Sequence, residues 1–266
     1  MTTPTVEHAV RRVIDDMHTN LGLEITIDDM ARTAMFSKFH FTRIFRDATG
    51  TSPGRFLSAL RLQEAKRLLI ETDFSVADIS SQVGYSSVGT FSSRFKACVG
   101  ISPSMFRETG GFLPRLETDS HGTSASPRAT LRGRVQTAGE HAPGACFVGL
   151  FPTPIPQGRP VRCAVLDGPG AFELRDVPTG TWHVLVHSVS YGAEHLPPGP
   201  DREDTISVGR YGPVTVADGT LLMPADITLH TPDALDPPVL MALLDLRTSA
   251  LESRPRPREV AGALTS

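Results

Sequence analysis

Phe39, His40, Thr42, Arg43 and Arg46 fall on the outer side of a stretch whose other positions, Phe41, Ile44 and Phe45, are apolar at helical spacing. Fifty residues on, Gly89, Thr90, Ser92, Ser93 and Lys96 hold the matching outer positions, with Arg94 beside them, among inward Phe91, Phe95 and Val99. Hydroxyls and cations on one helix face suit hydrogen bonds to base edges and charge contacts to phosphates. Arg43 is the strongest candidate for base reading, because a guanidinium can bond bidentately to guanine. On a lone helix the same residues would be a solvated face, so the question is what scaffold presents them.

That scaffold is duplicated. An offset of 50 aligns Phe41 with Phe91, Phe45 with Phe95, Arg46 with Lys96, Gly50 with Gly100, Ser52-Pro53 with Ser102-Pro103, and Phe56 with Phe106. Upstream, an offset of 49 aligns Thr26–Ala31 with Ser75–Ser80. Thr26/Asp29 and Ser75/Asp78 have the spacing of a capping box, which predicts a helix start at each. Small Ala31 and Ser80 leave room for a second helix to approach. Breaks follow at Met35-Phe36 and Gly84-Tyr85. Ser37, and Ser86 or Ser87, then cap helices over about Lys38–Ala48 and Val88–Val99. Each copy therefore predicts helix, short turn, helix, the layout of a helix-turn-helix. Pro53–Ile70 predicts a connecting helix that holds the copies at fixed separation. Two reading helices on one chain could then enter successive major grooves about 34 Å apart.

The linked series Phe36-Ser-Lys-Phe-His-Phe-Thr-Arg-Ile-Phe-Arg46, Gly50-Thr-Ser-Pro53, Arg61-Leu-Gln-Glu-Ala-Lys-Arg-Leu-Leu69, Val76-Ala-Asp-Ile79 to Gly84-Tyr-Ser-Ser, Phe91-Ser-Ser-Arg-Phe95-Lys96, Gly100-Ile-Ser-Pro103 and Phe106-Arg107 resembles the AraC/XylS-type transcriptional regulators over about Val6–Arg107. The resemblance implies a seven-helix, two-motif domain that binds double-stranded promoter DNA and more often activates than represses. Carried over, the base-reading positions of the first motif would be Phe39, Thr42 and Arg43, and those of the second Val88, Gly89, Thr90, Ser92 and Ser93. Here Gly89 stands where the family usually has Ser, and Ser93 where it has Arg, with Arg94 displaced by one. The expectation is that the first motif supplies specificity while the second mainly grips phosphate through Lys96 and hydroxyls.

The chain as a whole argues for two units. Its 266 residues carry 26 Lys+Arg against 29 Asp+Glu, net −3, which excludes a uniformly basic nucleic-acid coat. The balance is +1 over the first 110 residues and −4 over the rest. The first 110 also hold only 3 of 22 Pro and 7 of 23 Gly, so helix-breaking residues crowd the remainder. The predicted fold class is an all-α double helix-turn-helix domain (1–109), a linker (110–128), an antiparallel β-sandwich of seven or eight strands (129–235), an amphipathic helix (236–253) and a disordered tail (254–266). Thr205–Gly209 and Gly212–Val216 read as separate strands. Leu131-Arg-Gly-Arg-Val135, Ala145–Phe151 and Gly170-Ala-Phe-Glu-Leu through Val177-Pro-Thr-Gly180 to Val186 resemble a prealbumin-like, carboxypeptidase-regulatory-like sandwich, a non-catalytic type of domain.

Candidate chemistry in the second unit is thin. His183 and His187 share a strand face, which suits packing better than metal. Cys98, Cys146 and Cys163 have neither zinc nor disulfide-framework spacing, and Cys146 and Cys163 on nearby strands would make only a remote redox pair. No apolar run is long enough for a membrane span and the N-terminus lacks a signal-peptide layout, so a reduced, cytoplasmic setting without membrane contact is expected. No nucleophile elbow, phosphate-binding Gly loop or zinc-protease helix occurs, so neither catalysis nor a cofactor is expected. Promoter DNA is the expected partner, with RNA polymerase, an unidentified effector and a second copy of the chain as further candidates. The rival reading makes the β-sandwich the working part, binding a protein or carbohydrate while the helical domain tethers it to DNA.

Overall fold

The computed structural model describes residues 4–111, 129–137, 144–190, 205–217 and 222–240. Seven helices come first: α1 (Pro4–Thr19), α2 (Ile27–Ala34), α3 (Lys38–Thr49), α4 (Pro53–Glu71), α5 (Val76–Gln82), α6 (Val88–Val99) and α7 (Pro103–Glu108). They form two cores. Val10, Val13, Ile14 and Met17 of α1 pack with Met30, Ala31, Phe41, Phe45 and Phe56 in the first. Leu62, Leu69, Ile79, Phe91, Phe95, Val99 and Phe106 fill the second. Helix α4 serves both, giving Phe56, Leu57 and Leu60 to one and Ala59, Leu62, Ala65, Leu68 and Leu69 to the other. That double duty explains why its apolar residues do not fall in one stripe. At about 1.5 Å per residue its 19 residues form a spacer about 28 Å long.

The two copies repeat each other ring by ring. Phe41 meets Phe45 and Phe45 meets Phe56 edge-on, both at 5.5 Å between centroids. In the second copy Phe91 lies 5.7 Å from Phe95, and Phe95 5.5 Å from Phe106. Such contacts contribute beyond area burial.

The second unit is built from β1 (Ala129–Thr137), β2 (Gly144–Phe151), β3 (Arg162–Leu166), β4 (Ala171–Val177), β5 (Gly180–Ser190), β6 (Ile206–Val216) and β7 (Ala225–Leu229). They make a three-stranded sheet, β4-β1-β7, and a four-stranded sheet, β3-β2-β5-β6. Leu131, Val135, Leu174, Ile227 and Leu229 of the first share one apolar core with Cys146, Val148, Leu150, Val184 and Val186 of the second. Two features differ from the expectation. The pairing is not wholly antiparallel, since β7 runs parallel to β1 from Gly133↔Ala225 to Thr137↔Leu229. The two strands expected around Gly209–Gly212 are one. The ladder with β5 slips between Trp182↔Val214 and Val184↔Tyr211, so that Gly212 and Pro213 share a bulge opposite His183. Gly212 takes φ 127 there, a conformation that requires glycine.

All eight residues of β2 are buried. One face joins the shared core; the other, with Phe147 and Phe151, packs with Leu185, Val165 and Val239. That outer face of the four-stranded sheet is turned toward the helical unit. The loop after β2 places Ile155 in the second helical core, and the segment after β7 places Leu235 against the first and Leu240 in the second. Residues 237–240, where the sequence predicts the start of an amphipathic helix, are not helical, in keeping with the missing amide hydrogens of Pro237 and Pro238. The rest of that segment, the tail 254–266 and the linker beyond Gly111 lie outside the described residues.

Candidate nucleic-acid interface

Each of α3 and α6 is held by a turn whose backbone is the same in both copies. In the first, Met35 N–H donates to Arg32 O at 3.0 Å and Phe36 N–H to Ala31 O at 3.0 Å. In the second, Gly84 N–H donates to Ser81 O at 3.0 Å and Tyr85 N–H to Ser80 O at 2.9 Å. Both turns need a left-handed residue, and Met35 (φ 61) and Gly84 (φ 81) supply it. The difference lies in the surroundings. A methyl on Gly84 would sit 2.5 Å from the carbonyl oxygen of Leu21 and 2.7 Å from an Arg61 nitrogen. Met35 is 81% exposed and has room for its side chain.

The helices before these turns begin as the spacing required. Thr26 accepts from Asp29 N–H at 3.2 Å while Asp29 accepts from Thr26 N–H at 3.0 Å. The Thr26 hydroxyl, then its backbone, then Arg32 hold the Asp29 carboxyl below the usual carboxylate range. Ser75 accepts from Asp78 N–H at 3.1 Å and donates its hydroxyl to the Asp78 carboxylate at 2.6 Å. At the reading helices, Ser87 caps α6 by accepting from Thr90 N–H at 3.4 Å, while Ser37 caps α3 without a side-chain hydrogen bond.

On α3 the ring of Phe39 is 88% exposed. Arg43 is exposed, with one guanidinium nitrogen 3.3 Å from His40 Nδ1. His40 in turn stands edge-on to Phe36 at 4.9 Å, so its ring is braced from below. Thr42 is part-buried and donates its hydroxyl to Lys38 O at 2.8 Å. Arg46 is exposed. On α6, Val88, Gly89, Thr90, Ser93, Arg94 and Lys96 are exposed, and Ser92 is half-buried. All twelve predicted residues thus lie on the first or outer turns of α3 and α6, away from the two cores.

Charge is where the structure sharpens the reading. Lys38 begins α3 but forms an ion pair with Asp28 of α2 at 3.0 Å, so it fastens the two helices of the motif together rather than adding free charge. Among the described residues no carboxylate lies within ion-pair distance of Arg43, Arg46, Arg94 or Lys96. Those four cations are the positive charge on the outer faces of α3 and α6 that has no carboxylate partner among the described residues.

The histidine and cysteine expectations are also placed. His183 and His187 do share one face of β5, and no group of three potential metal ligands occurs among the described residues. Cys146 points into the shared β core, whereas Cys163 lines a pocket on the opposite side of the sheet. Burial raises both thiols.

The family model described as a helix-turn-helix domain matches residues 30–109. The "Probable transcription factor PqrA" of Proteus vulgaris is 37% identical over 106 residues, 39% of this chain and 87% of that protein. The chain belongs to the AraC-type helix-turn-helix regulators. Other members of the family match over shorter shares of their own length. The "Lactose operon transcription activator" of Staphylococcus xylosus is 33% identical over 102 residues, 38% of this chain and 37% of that protein. "HTH-type transcriptional activator AarP" of Providencia stuartii is 36% identical over 88 residues, 33% of this chain and 65% of that protein.

Sequence reasoning missed three residues that matter to this AraC-type frame. Arg61 donates from α4 to the carbonyls of Leu21 and Leu23, at 3.0 and 2.6 Å, tying the α1–α2 loop to the spacer. Arg107 does the same for Leu69 and Phe74, at 3.1 and 2.5 Å. Lys66 is buried and donates to Val239 O and Leu240 O at 3.2 and 3.1 Å, a contact that no local pattern announces.

Proposed function

We propose that this chain is a sequence-specific DNA-binding regulator of transcription, probing a promoter with α3 and α6 from one rigid frame. The observation that carries this reading is the pair of outer helix faces at opposite ends of α4, rich in hydroxyls and in cations without a carboxylate partner among the described residues. Arg43, with Phe39 and Thr42, reads base edges. Lys96 and Arg94, with the hydroxyls of Thr90, Ser92 and Ser93, hold phosphates around a face too small at Gly89 to read much. Val88 offers an apolar contact, and Arg46 and His40 flank the first reading surface. The relatives named as activators support activation as the sign of regulation, and with it a cytoplasmic site of action near RNA polymerase.

The β unit, read as a prealbumin-like sandwich, serves to sense an effector rather than to catalyse. Self-association through residues beyond 240 is the companion role for an apolar C-terminal segment. Selection of duplexes from a random pool by the full chain, followed by footprinting, tests the DNA reading. Two protected patches about one helical turn apart are expected. Failure to enrich any sequence, or one protected patch only, would overturn the two-motif reading.

A further inference from the structure

The outer face of the four-stranded sheet does not pack flat on the helical unit. Over that face, under the 154–160 loop and the segment 236–239, lies a small pocket of about 50 Å³ with an open mouth, with Phe147, Phe151 and Leu185 on the sheet side and Pro154, Pro156 and Val239 facing them. His187, Arg210, His230 and Asp236 supply the polar groups. Asp236 already has partners, accepting from Asp233 N–H at 3.0 Å and facing His230 Nε2 at 2.8 Å. Arg210 is exposed and, among the described residues, has no carboxylate within ion-pair distance. A mostly apolar cavity with one uncompensated guanidinium fits a small ligand with an apolar body and one anionic head.

The walls of this pocket are also the struts to the DNA-facing unit. Arg210 donates to Thr49 O at 2.9 Å, at the C-terminal end of α3. The loop of Pro154 and Pro156 continues to Gln157, whose Oε1 accepts from the Cys98 thiol at 3.3 Å, and to Gly158, whose N–H donates to Cys98 O at 2.6 Å, at the end of α6. The strap bearing Asp236 and Val239 is fastened by Lys66 of α4 and, through Asp233, by an ion pair to Arg11 of α1 at 2.9 Å. One pocket therefore touches supports of both reading helices and of the spacer between them.

We infer that the pocket between the β2-β5-β6 face and the 154–160 loop is the site of a small aromatic or branched aliphatic carboxylate, and that its occupancy is coupled to DNA affinity. This rests on the effector-sensing reading of the β unit. The carboxylate pairs with Arg210 and its body lies on Phe147, Phe151 and Leu185. Ligand contact with Arg210 shifts its hold on Thr49, and contact with the loop and strap shifts the supports of α6 and α4. Binding of ligand and of DNA must then alter each other by the same factor. Beside the pocket, the His183 imidazole is pushed below its ordinary value, first by burial and then by the charge of Arg210.

The test is calorimetric titration of the full chain with 2-naphthoate and with its neutral amide, alongside DNA titration of the same samples on the selected duplex. The acid is expected to bind at least tenfold more tightly than the amide, and Arg210→Gln to abolish that difference while leaving the amide unaffected. Cys163→Phe, which fills the pocket from edge strand β3, is expected to weaken both ligands at least tenfold. The acid is expected to change DNA affinity at least threefold in the unmodified chain and not in Cys163→Phe. No binding of either compound overturns the site; equal binding of acid and amide overturns the ligand class; binding without a change in DNA affinity overturns the coupling. Arg11→Met, which cuts the ion pair between the strap and α1 without changing a pocket-lining residue, separates this from the broader reading. If it alters DNA affinity while neither ligand binds, the β unit still governs the reading helices and only this site has failed.

Discussion

The first and second helix-turn-helix units share a backbone and a core but not a surface. Their phenylalanine triplets, turn hydrogen bonds and N-caps superpose in sequence, while the outer faces diverge from an aromatic and two guanidinium groups to glycine and hydroxyls with Arg94 and Lys96. The two copies agree in the residues that bury area and differ in those that face outward. The turn residue itself follows the same rule in reverse. Identical left-handed backbones carry Met35 where solvent lies outside and Gly84 where the Leu21 carbonyl and Arg61 do.

The sharpest way to break this comparison is at those turns. Gly84→Ala adds both left-handed strain and a clash with backbone, and is expected to lose about 2–4 kcal/mol in urea unfolding. Met35→Gly relieves strain but frees the unfolded chain, and is expected to stay within about 1 kcal/mol of the parent. Similar costs at the two turns would show that the surroundings of Gly84 do not decide its identity. On the surfaces, Arg43→Ala is expected to weaken binding to the selected duplex by about 1–3 kcal/mol and to relax its base preference. Equal losses on selected and random DNA would move Arg43 from base reading to phosphate contact. Lys96→Ala is expected to weaken binding to all duplexes alike and to flatten the salt dependence by about one unit; an unchanged slope would remove Lys96 from the phosphate contacts.

The helical unit was legible because its signals are local and repeated. Capping residues, 3.6-residue periodicity and Gly/Ser-Pro boundaries lie within a few positions of what they determine, and the duplication checked each against its twin. Strands of the β unit were legible as segments, since turn residues bracket them. Their pairing was not, because β1 meets β7 across about ninety residues and nothing nearby distinguishes parallel from antiparallel closure. The Gly209–Gly212 stretch looked like a turn because glycine and proline mark bulges as well as ends. Least legible was the docking of the two units. Lys66 binds carbonyls 173 and 174 positions away and Arg210 one 161 positions away, so the pocket walls belong to no motif. The net charge of −3 hides placement for the same reason, since it sums over the whole chain while four cations gather on two helix faces.

The smallest expected effect probes the crossing of the paired helices. Ser80 occupies in α5 the position of Ala31 in α2, and both are nearly sealed, at 1% and 4% exposure. Among the described residues the buried Ser80 hydroxyl has no hydrogen-bond partner. An orphaned hydroxyl loses its hydration and gains nothing back, a cost of about 1–3 kcal/mol, partly offset where packing around the oxygen is good. Ser80→Ala, which copies the first unit into the second, is therefore expected to raise stability by about 1 kcal/mol or slightly less. Ala31→Ser, the reverse graft, should lower it by a similar amount. Urea midpoints at constant slope measure both. A loss of stability in Ser80→Ala would mean that the hydroxyl has a partner in solution, and that the second unit's helices are held by a polar contact the first does not need.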